Sequence, residues 1–318
     1  MSYPETIGER DAWILARRGR RNAVDPMQPW SFLVEKERSA SGDVVQIATL
    51  FLTNRECPWR CLMCDLWQNT LTSDTPIGAI PAQINFALQR LPPAAQIKLY
   101  NSGSFFDRRA IPQQDYASIA EQVAQFERVI VECHPALVGG DCLRFRDLLR
   151  GRLEVAMGLE TVHPEILSRL NKRMNLSQFR EAADELQKND IDLRVFILVK
   201  PPYMLQQEAE EWTSRALEFA FDCGATAATL IPTRAGNGAM EDLAGRGDFS
   251  PPSLATLEAA AACGIALQRG RVFTDLWDLR RSPGCAYCHN DRIERLHSMN
   301  LEQSILPRVA CEYCGGTT

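Results

Sequence analysis

Six short apolar runs, separated by stretches of helical periodicity, constrain this chain more than any other feature. The runs are VVQIATLFL (44–52), QIKLYN (96–101), RVIVEC (128–133), LEVAMGL (153–159), LRVFILV (193–199) and ATAATLI (225–231). They are near-continuously apolar and mostly rich in β-branched residues, which predicts strands of a parallel sheet covered on both faces. Between them, AQINFALQRL (82–91), DYASIAEQVAQF (115–126), CLRFRDLLR (142–150), SQFREAADELQKN (177–189) and QQEAEEWTSRALEFAFDCG (206–224) repeat apolar residues at helical spacing. Ser177 is the expected N-cap of the fourth helix and Gly224 the stop of the fifth. Strand alternating with helix predicts an α/β fold of right-handed βαβ units. Six units are too few for the usual eight-fold barrel. The expected architecture is a partial (β/α)6 TIM-like barrel, with an open doubly wound sheet as the alternative. Around this core (44–232), residues 1–43 read as an N-terminal extension. Residues 233–279 read as a Gly/Pro-rich linker followed by a helical segment, and 280–318 as a small C-terminal module.

In parallel α/β folds, the loops at the C-terminal ends of strands carry the chemistry. The loop after the first run reads NRECPWRCLMCDLW and places Cys57, Cys61 and Cys64 at C-x3-C-x2-C spacing. A structural zinc site closes with four protein ligands. Three cysteines can instead hold three irons of a 4Fe-4S cubane and leave the fourth open to a substrate or cofactor. The alternative is half of a zinc site, completed by a cysteine elsewhere. The chain has 11 cysteines, and in a reducing compartment clustered cysteines point to metal rather than disulfides. Four of them form two C-x-x-C pairs, Cys285/Cys288 and Cys311/Cys314. That is a closed four-ligand pattern, suited to structural zinc or to a fully ligated auxiliary 4Fe-4S cluster, with His289 as an alternative ligand. Cys133, Cys142, Cys223 and Cys263 read as small buried apolar residues. None of these is well placed by sequence to complete a cluster used only for electron transfer; Cys133, which ends the third run, is the one candidate.

The net charge of −5 gives no global support for nucleic-acid binding. The run ARRGRR (16–21) reads as a solvated surface or as a contact to a polyanion. No basic-then-apolar leader opens the chain, and no apolar run approaches the ~20 residues of a membrane span. The expectation is a cytoplasmic protein with no membrane partner.

CPWRCLMC at the end of a first strand resembles the radical S-adenosylmethionine superfamily, whose motif is C-x3-C-x-φ-C with φ usually aromatic. Here φ is Met63, and Trp59 or Trp67 offers an aromatic wall instead. LYNSGSFFD (99–107), VECHPALV (131–138), MGLETVHPEILSRLNKRMN (157–175) and FILVKPPYMLQQEAEE (196–211) resemble the radical enzymes related to the Elongator catalytic subunit. They are closer still to the archaeosine-synthesis radical subunit, which acts on a modified deazaguanine in tRNA. The resemblance covers roughly residues 40 to 215. It implies a 4Fe-4S cluster on Cys57, Cys61 and Cys64, with S-adenosylmethionine chelating the open iron. It also implies reductive cleavage to a 5'-deoxyadenosyl radical that abstracts a hydrogen atom. The cofactor carries that chemistry, while the protein binds, orients and excludes water.

The resemblance also implies roles for residues at the other strand ends. Asn101, Ser102, Gly103 and Ser104 occupy the segment that receives the methionine amino group, and Gly103 allows close backbone approach. An ordinary strand-to-helix turn is the alternative. Glu132 and Glu160 can accept from ribose hydroxyls or the methionine ammonium; otherwise they are helix caps or ion-pair partners. Lys200 can bind the cofactor carboxylate or the substrate. Asn54 and Trp59 are expected to pack around the cluster. His134 and His163, each before a proline, read as turn residues satisfied by hydrogen bonds. The implied partners are an electron donor such as flavodoxin or ferredoxin and an RNA base or deazapurine-type small molecule as substrate. The alternative from a different class is a non-catalytic zinc-binding α/β scaffold.

Overall fold

Among the described residues, eight strands form one sheet in strict chain order, β1 to β8. The computed structural model describes residues 2–281 and 284–315. The strands are β1 (Ser31–Arg38), β2 (Val44–Phe51), β3 (Gln96–Tyr100), β4 (Arg128–Glu132), β5 (Arg152–Glu160), β6 (Asp192–Val199), β7 (Ala227–Pro232) and β8 (Arg271–Thr274). β1 and β2 pair antiparallel, and every later neighbour is parallel. The helices are α1 (Ile7–Leu15), α2 (Ala79–Leu88), α3 (Tyr116–Gln122), α4 (Gly140–Leu148), α5 (Pro164–Arg169), α6 (Leu176–Lys188), α7 (Ala209–Asp222), α8 (Ala239–Gly245), α9 (Leu254–Ala266) and α10 (His289–Glu302). Among the described residues, no helix is long and apolar enough to cross a membrane.

The strands alternate strictly, and the two faces differ in chemistry. Ile97, Leu99, Val129, Val131, Val155, Met157, Val195 and Ile197 face the helices and share one core with Ile84, Phe145, Phe179 and Leu217. The opposite face carries buried charge. Lys98 Nζ lies 2.6 Å from Glu37, and Arg194 bridges Glu37 and Glu154 at 2.6 Å each. Arg128 and Arg271 also reach Glu154. The Glu37–Arg194 pair joins β1 to β6. In a flat sheet those strands would stand about 24 Å apart at the usual ~4.8 Å spacing. The sheet is therefore curled into the expected partial barrel, and the open doubly wound alternative is excluded.

Two strands lie outside the six expected from the sequence. β1 lies within residues 1–43, and β8 within 233–279. In β1, Phe32 and Val34 pack on the core while Glu35 and Glu37 point inward. The acids hide the strand from a search for apolar runs, and their neutralisation by Lys98 and Arg194 depends on the closed geometry. β8 has only four residues, one of them a buried arginine. The cap of α6 also differs from expectation. Asn175, not Ser177, closes a reciprocal box: its Oδ1 accepts from the Gln178 amide at 2.9 Å, and Gln178 Oε1 accepts from the Asn175 amide at 3.0 Å.

Candidate active site at the strand ends

The cysteine loop follows β2 and is held from several sides. Leu62, fully buried between Cys61 and Cys64, anchors in a cluster of Tyr3, Trp13 and Ile14 from the N-terminal segment and Met240, Leu243 and Phe249 from the α8 region. Met63, the position usually aromatic in the resembling superfamily, packs against this cluster and a second one containing Leu198 and Met204. The Leu62 amide donates to Leu170 O at 2.9 Å. Asn237 Nδ2 donates to the carbonyls of Leu62 at 2.8 Å and Cys64 at 3.1 Å, and Asn171 Nδ2 to Arg60 O at 2.7 Å. Glu56, one residue before Cys57, pairs with Arg18 at 2.6 Å, Arg60 at 3.1 Å and Arg21. Arg17 pairs with Asp242 at 2.6 Å. Arg17, Arg18 and Arg21 of the ARRGRR run are thus engaged in ion pairs within the chain, while Arg20 is exposed. Residues read as extension and linker are the walls of this loop.

Burial raises each of the three thiols to about 12, partly offset at Cys57 by the Trp59 amide and at Cys61 by Lys172. A metal centre must therefore displace three held protons. Cys133 faces the helical core rather than the lumen; its Sγ donates to His134 O at 3.1 Å and accepts from Ser104 Oγ at 3.4 Å.

The second strand-end segment presses directly on the loop. A Cβ on Gly103 would sit 3.2 Å from Cys57 Cβ. The Asn101 amide donates to Glu132 Oε2 at 2.9 Å, and the Ser102 amide also bonds this carboxylate. Burial nevertheless lifts Glu132 to about 7. The Asn101 side chain is fully buried, yet among the described residues neither its Oδ1 nor its Nδ2 has a partner, and Asn54 Oδ1 is likewise unpartnered. Orphaned amide atoms at such a place suit a polar ligand. Ser104 serves the scaffold, accepting from the His134 amide at 3.2 Å.

Glu160 pairs with Lys172 Nζ at 2.5 Å, and both are buried. Burial opposes the charge on Lys172, but Glu160 and the sulfurs of Cys61 and Cys57 outweigh it and raise its pKa. Glu160 has φ +67, at an irregular pairing of β5 with β6. A side chain on Gly158 would fall on Glu160 Oε1 and Lys172 Nζ. Lys172 was not singled out from the sequence, where it is one basic residue in NKRMN; only the fold brings it beneath the cysteines. Lys200 Nζ donates to Ser250 O at 2.6 Å and Ser250 Oγ at 2.5 Å.

His134 and His163 behave as the turn residues expected. His134 Nδ1 accepts from the Ala136 amide at 3.1 Å, and Nε2 donates to Lys172 O at 3.0 Å. Burial pushes this imidazole down to about 4 and keeps it neutral. Trp59 stacks on it with centroids 3.8 Å apart. His163 Nδ1 accepts from the Ile166 amide at 3.4 Å. Below the loop, the lumen presents half-buried rings of Phe51, Tyr100 and Phe196, with Trp277 at the rim.

The C-terminal cysteines form a separate site. The sulfurs of Cys285, Cys288, Cys311 and Cys314 all lie within 4.8 Å of one another. His289 instead directs Nε2 to Leu279 O at 2.9 Å.

No family model matches the chain. It is 22% identical to an uncharacterized protein of Methanocaldococcus jannaschii over 316 residues, covering 92% of this chain and 87% of that one. It is 23% identical to the archaeosine synthase subunit beta of Methanosarcina acetivorans over 283 residues, covering 83% of this chain and 81% of that one. Its structure superposes on an archaeal Elp3 of Methanocaldococcus infernus with a TM-score of 0.51 at 14% identity, over 70% of this chain and 59% of that one. The chain thus spans under two thirds of that Elp3. At this identity the likeness shows the fold alone: the chain shares the partial-barrel fold of that Elp3.

Proposed function

We propose that the strand-end site holds a 4Fe-4S cluster on Cys57, Cys61 and Cys64 and binds S-adenosylmethionine beside it. The observation that carries this reading is the pairing of a three-cysteine loop with a buried, unpartnered Asn101 amide, brought together by the close approach of Gly103 to Cys57. When bound, the cluster and S-adenosylmethionine supply reductive C5'–S cleavage and with it a 5'-deoxyadenosyl radical. The chain's own residues do the rest. The three thiols release their protons on metal loading. Lys172, held by Glu160, sets a fixed positive charge next to Cys61 and offsets the negative charge collected there. Asn101 offers one donor and one acceptor to the methionine end. Glu132 offers a carboxyl to a hydroxyl or ammonium group, held in place by the Asn101 and Ser102 amides. The apolar packing of Leu62 and Met63 excludes water from behind the loop.

For the substrate, the likeness to archaeosine synthase subunit beta supports an RNA base or a deazapurine-type molecule. The aromatic lumen suits a flat ring. A redox protein such as a flavodoxin or ferredoxin would supply the electron.

The test is anaerobic. The protein is reconstituted with iron and sulfide, reduced with dithionite and supplied with S-adenosylmethionine, and 5'-deoxyadenosine is measured beside Cys61→Ala. Formation that depends on the intact triad is the expected result. A colourless, zinc-loaded protein that makes no 5'-deoxyadenosine would return the reading to a metal-binding scaffold.

A further inference from the structure

The tail carries a second inference, independent of the radical chemistry. We infer that Cys285, Cys288, Cys311 and Cys314 bind a single zinc ion whose task is to latch α10 across the seam of the partial barrel. The first ground is sulfur geometry. A tetrahedral zinc about 2.3 Å from each thiolate places its sulfurs about 3.8 Å apart. Cys285 and Cys311 are 3.8 Å apart, Cys288 and Cys314 3.5 Å, and all four lie within 4.8 Å. The outer sulfurs of a 4Fe-4S cubane, one per iron, lie on the order of 6 Å apart. The four sulfurs therefore converge on one ion and leave no room for a cluster.

The second ground is what surrounds the sulfurs. Four thiolates on a divalent ion leave net negative charge, and Arg292, buried, bonds Cys288. Its guanidinium is held in turn by Glu258 of α9 at 2.6 Å, which also takes Arg295 at 3.2 Å. Such supporting contacts orient metal ligands. Independently of the sulfurs, Tyr287 and Tyr313, one inside each C-x-x-C, stack with centroids 3.6 Å apart at 8°.

The third ground is what α10 does. Among the described residues, β8 is the last strand, and its outer edge has no strand partner. Two side-chain amides of the α10 region take that partner's place. Gln303 Oε1 accepts from the Val272 amide at 2.7 Å, and its Nε2 donates to Val272 O at 2.9 Å. Asn300 Oδ1 accepts from the Thr274 amide at 2.8 Å, and its Nδ2 donates to Thr274 O at 2.8 Å. Exposed strand edges invite mispairing, and this arrangement caps one. Across the seam, Arg38 of β1 reaches Leu301 O at 3.4 Å, and Arg271 of β8 reaches Arg38 O at 3.2 Å. Cys288 is the N-cap of α10, and after the helix the chain returns past Arg295, which donates to Leu306 O at 2.6 Å, to deliver Cys311 and Cys314. One ion thus ties the start of the latch helix to the end of the chain.

The test uses the full chain purified without reconstitution. Metal is counted by plasma mass spectrometry, and amide exchange is followed at Val272 and Thr274. One zinc per chain is expected, retained in a Cys57/Cys61/Cys64→Ala triple variant. Cobalt exchanged into that site should show thiolate charge-transfer bands. Chelation should speed exchange at Val272 and Thr274 by about tenfold or more, with the β3 amides unchanged. Asn300→Ala with Gln303→Ala should speed the same two amides while keeping the zinc, which tests the latch without touching a ligand. Four irons persisting in the triple variant, or one iron in place of zinc, overturns the zinc assignment. Zinc present with β8 exchange indifferent to its removal overturns the latch.

Discussion

The two cysteine clusters follow opposite plans. The four C-terminal sulfurs converge within 4.8 Å and are supported by Arg292, their site closed by the chain alone. The three sulfurs after β2 are walled by α1, α8 and the Asn101 segment, and beside them stand a buried amide without partners and a carboxyl lifted to about 7. A closed set of ligands stabilises structure, whereas an open set leaves polar groups waiting for something else. The difference between four ligands and three separates a staple from a candidate reaction centre.

Substitutions can split the two sites. The largest effect is expected from Cys61→Ala, which should remove the iron and abolish 5'-deoxyadenosine formation while the zinc count stays at one; loss of both metals together would show that the sites are not independent. Arg194→Met strikes the frame they share. It leaves Glu37 and Glu154 buried without their main partner and should cost about 3–5 kcal/mol in urea unfolding. A change under about 1 kcal/mol would mean that Lys98, Arg128 and Arg271 neutralise both acids unaided.

Asn237→Ala should act on one site alone. The Leu62 and Cys64 carbonyls lose their donor, at about 1–3 kcal/mol, and iron occupancy should fall while zinc does not. Equal loss of both metals would place Asn237 in the general scaffold.

The smallest effect concerns pH. Glu132 is raised from 4.5 to about 7, so the fold holds its proton more tightly than the unfolded chain does. Its stabilising contribution is complete below pH 4.5 and is lost as pH rises through about 7. If the carboxylate is the form that binds S-adenosylmethionine, affinity should rise with pH up to about 7, by at most about tenfold per pH unit. Glu132→Gln should flatten both the stability decline and the binding rise. An unchanged binding profile in the variant would remove Glu132 from the cofactor site.

Much of the frame was legible in the sequence. Six strands show as apolar runs because their core-facing residues are uniformly aliphatic, and the helices between them keep a clean period. β1 and β8 were missed because Glu35, Glu37 and Arg271 break the apolar signal, and only cross-sheet pairing explains them. At the candidate site, the three cysteines stand out by their spacing, whereas Asn101 and Gly103 stand out through a resemblance and Glu132 by its place at a strand end; the fold shows that these segments lie against one another. Lys172 and Asn237 carried no signal, since each acts through a neighbour far away in sequence. In the ARRGRR run, Arg17, Arg18 and Arg21 are met by Asp242 and Glu56, partners that no local reading shows, while Arg20 is exposed as a solvated run would have it.

The sequence alone determined the donor sets: three cysteines in one short loop and four in two C-x-x-C pairs, with zinc or an iron–sulfur cluster left open for the second. It also determined that a covered parallel sheet would carry the loop at a strand end. Tertiary structure decided which charges are buried together, which carboxyl keeps its proton near neutrality, and which helix closes the barrel's edge. The physical reason is range. Metal-ligand spacing and strand periodicity are local properties of the chain, whereas desolvation and ion pairing depend on the groups the fold brings within a few ångströms.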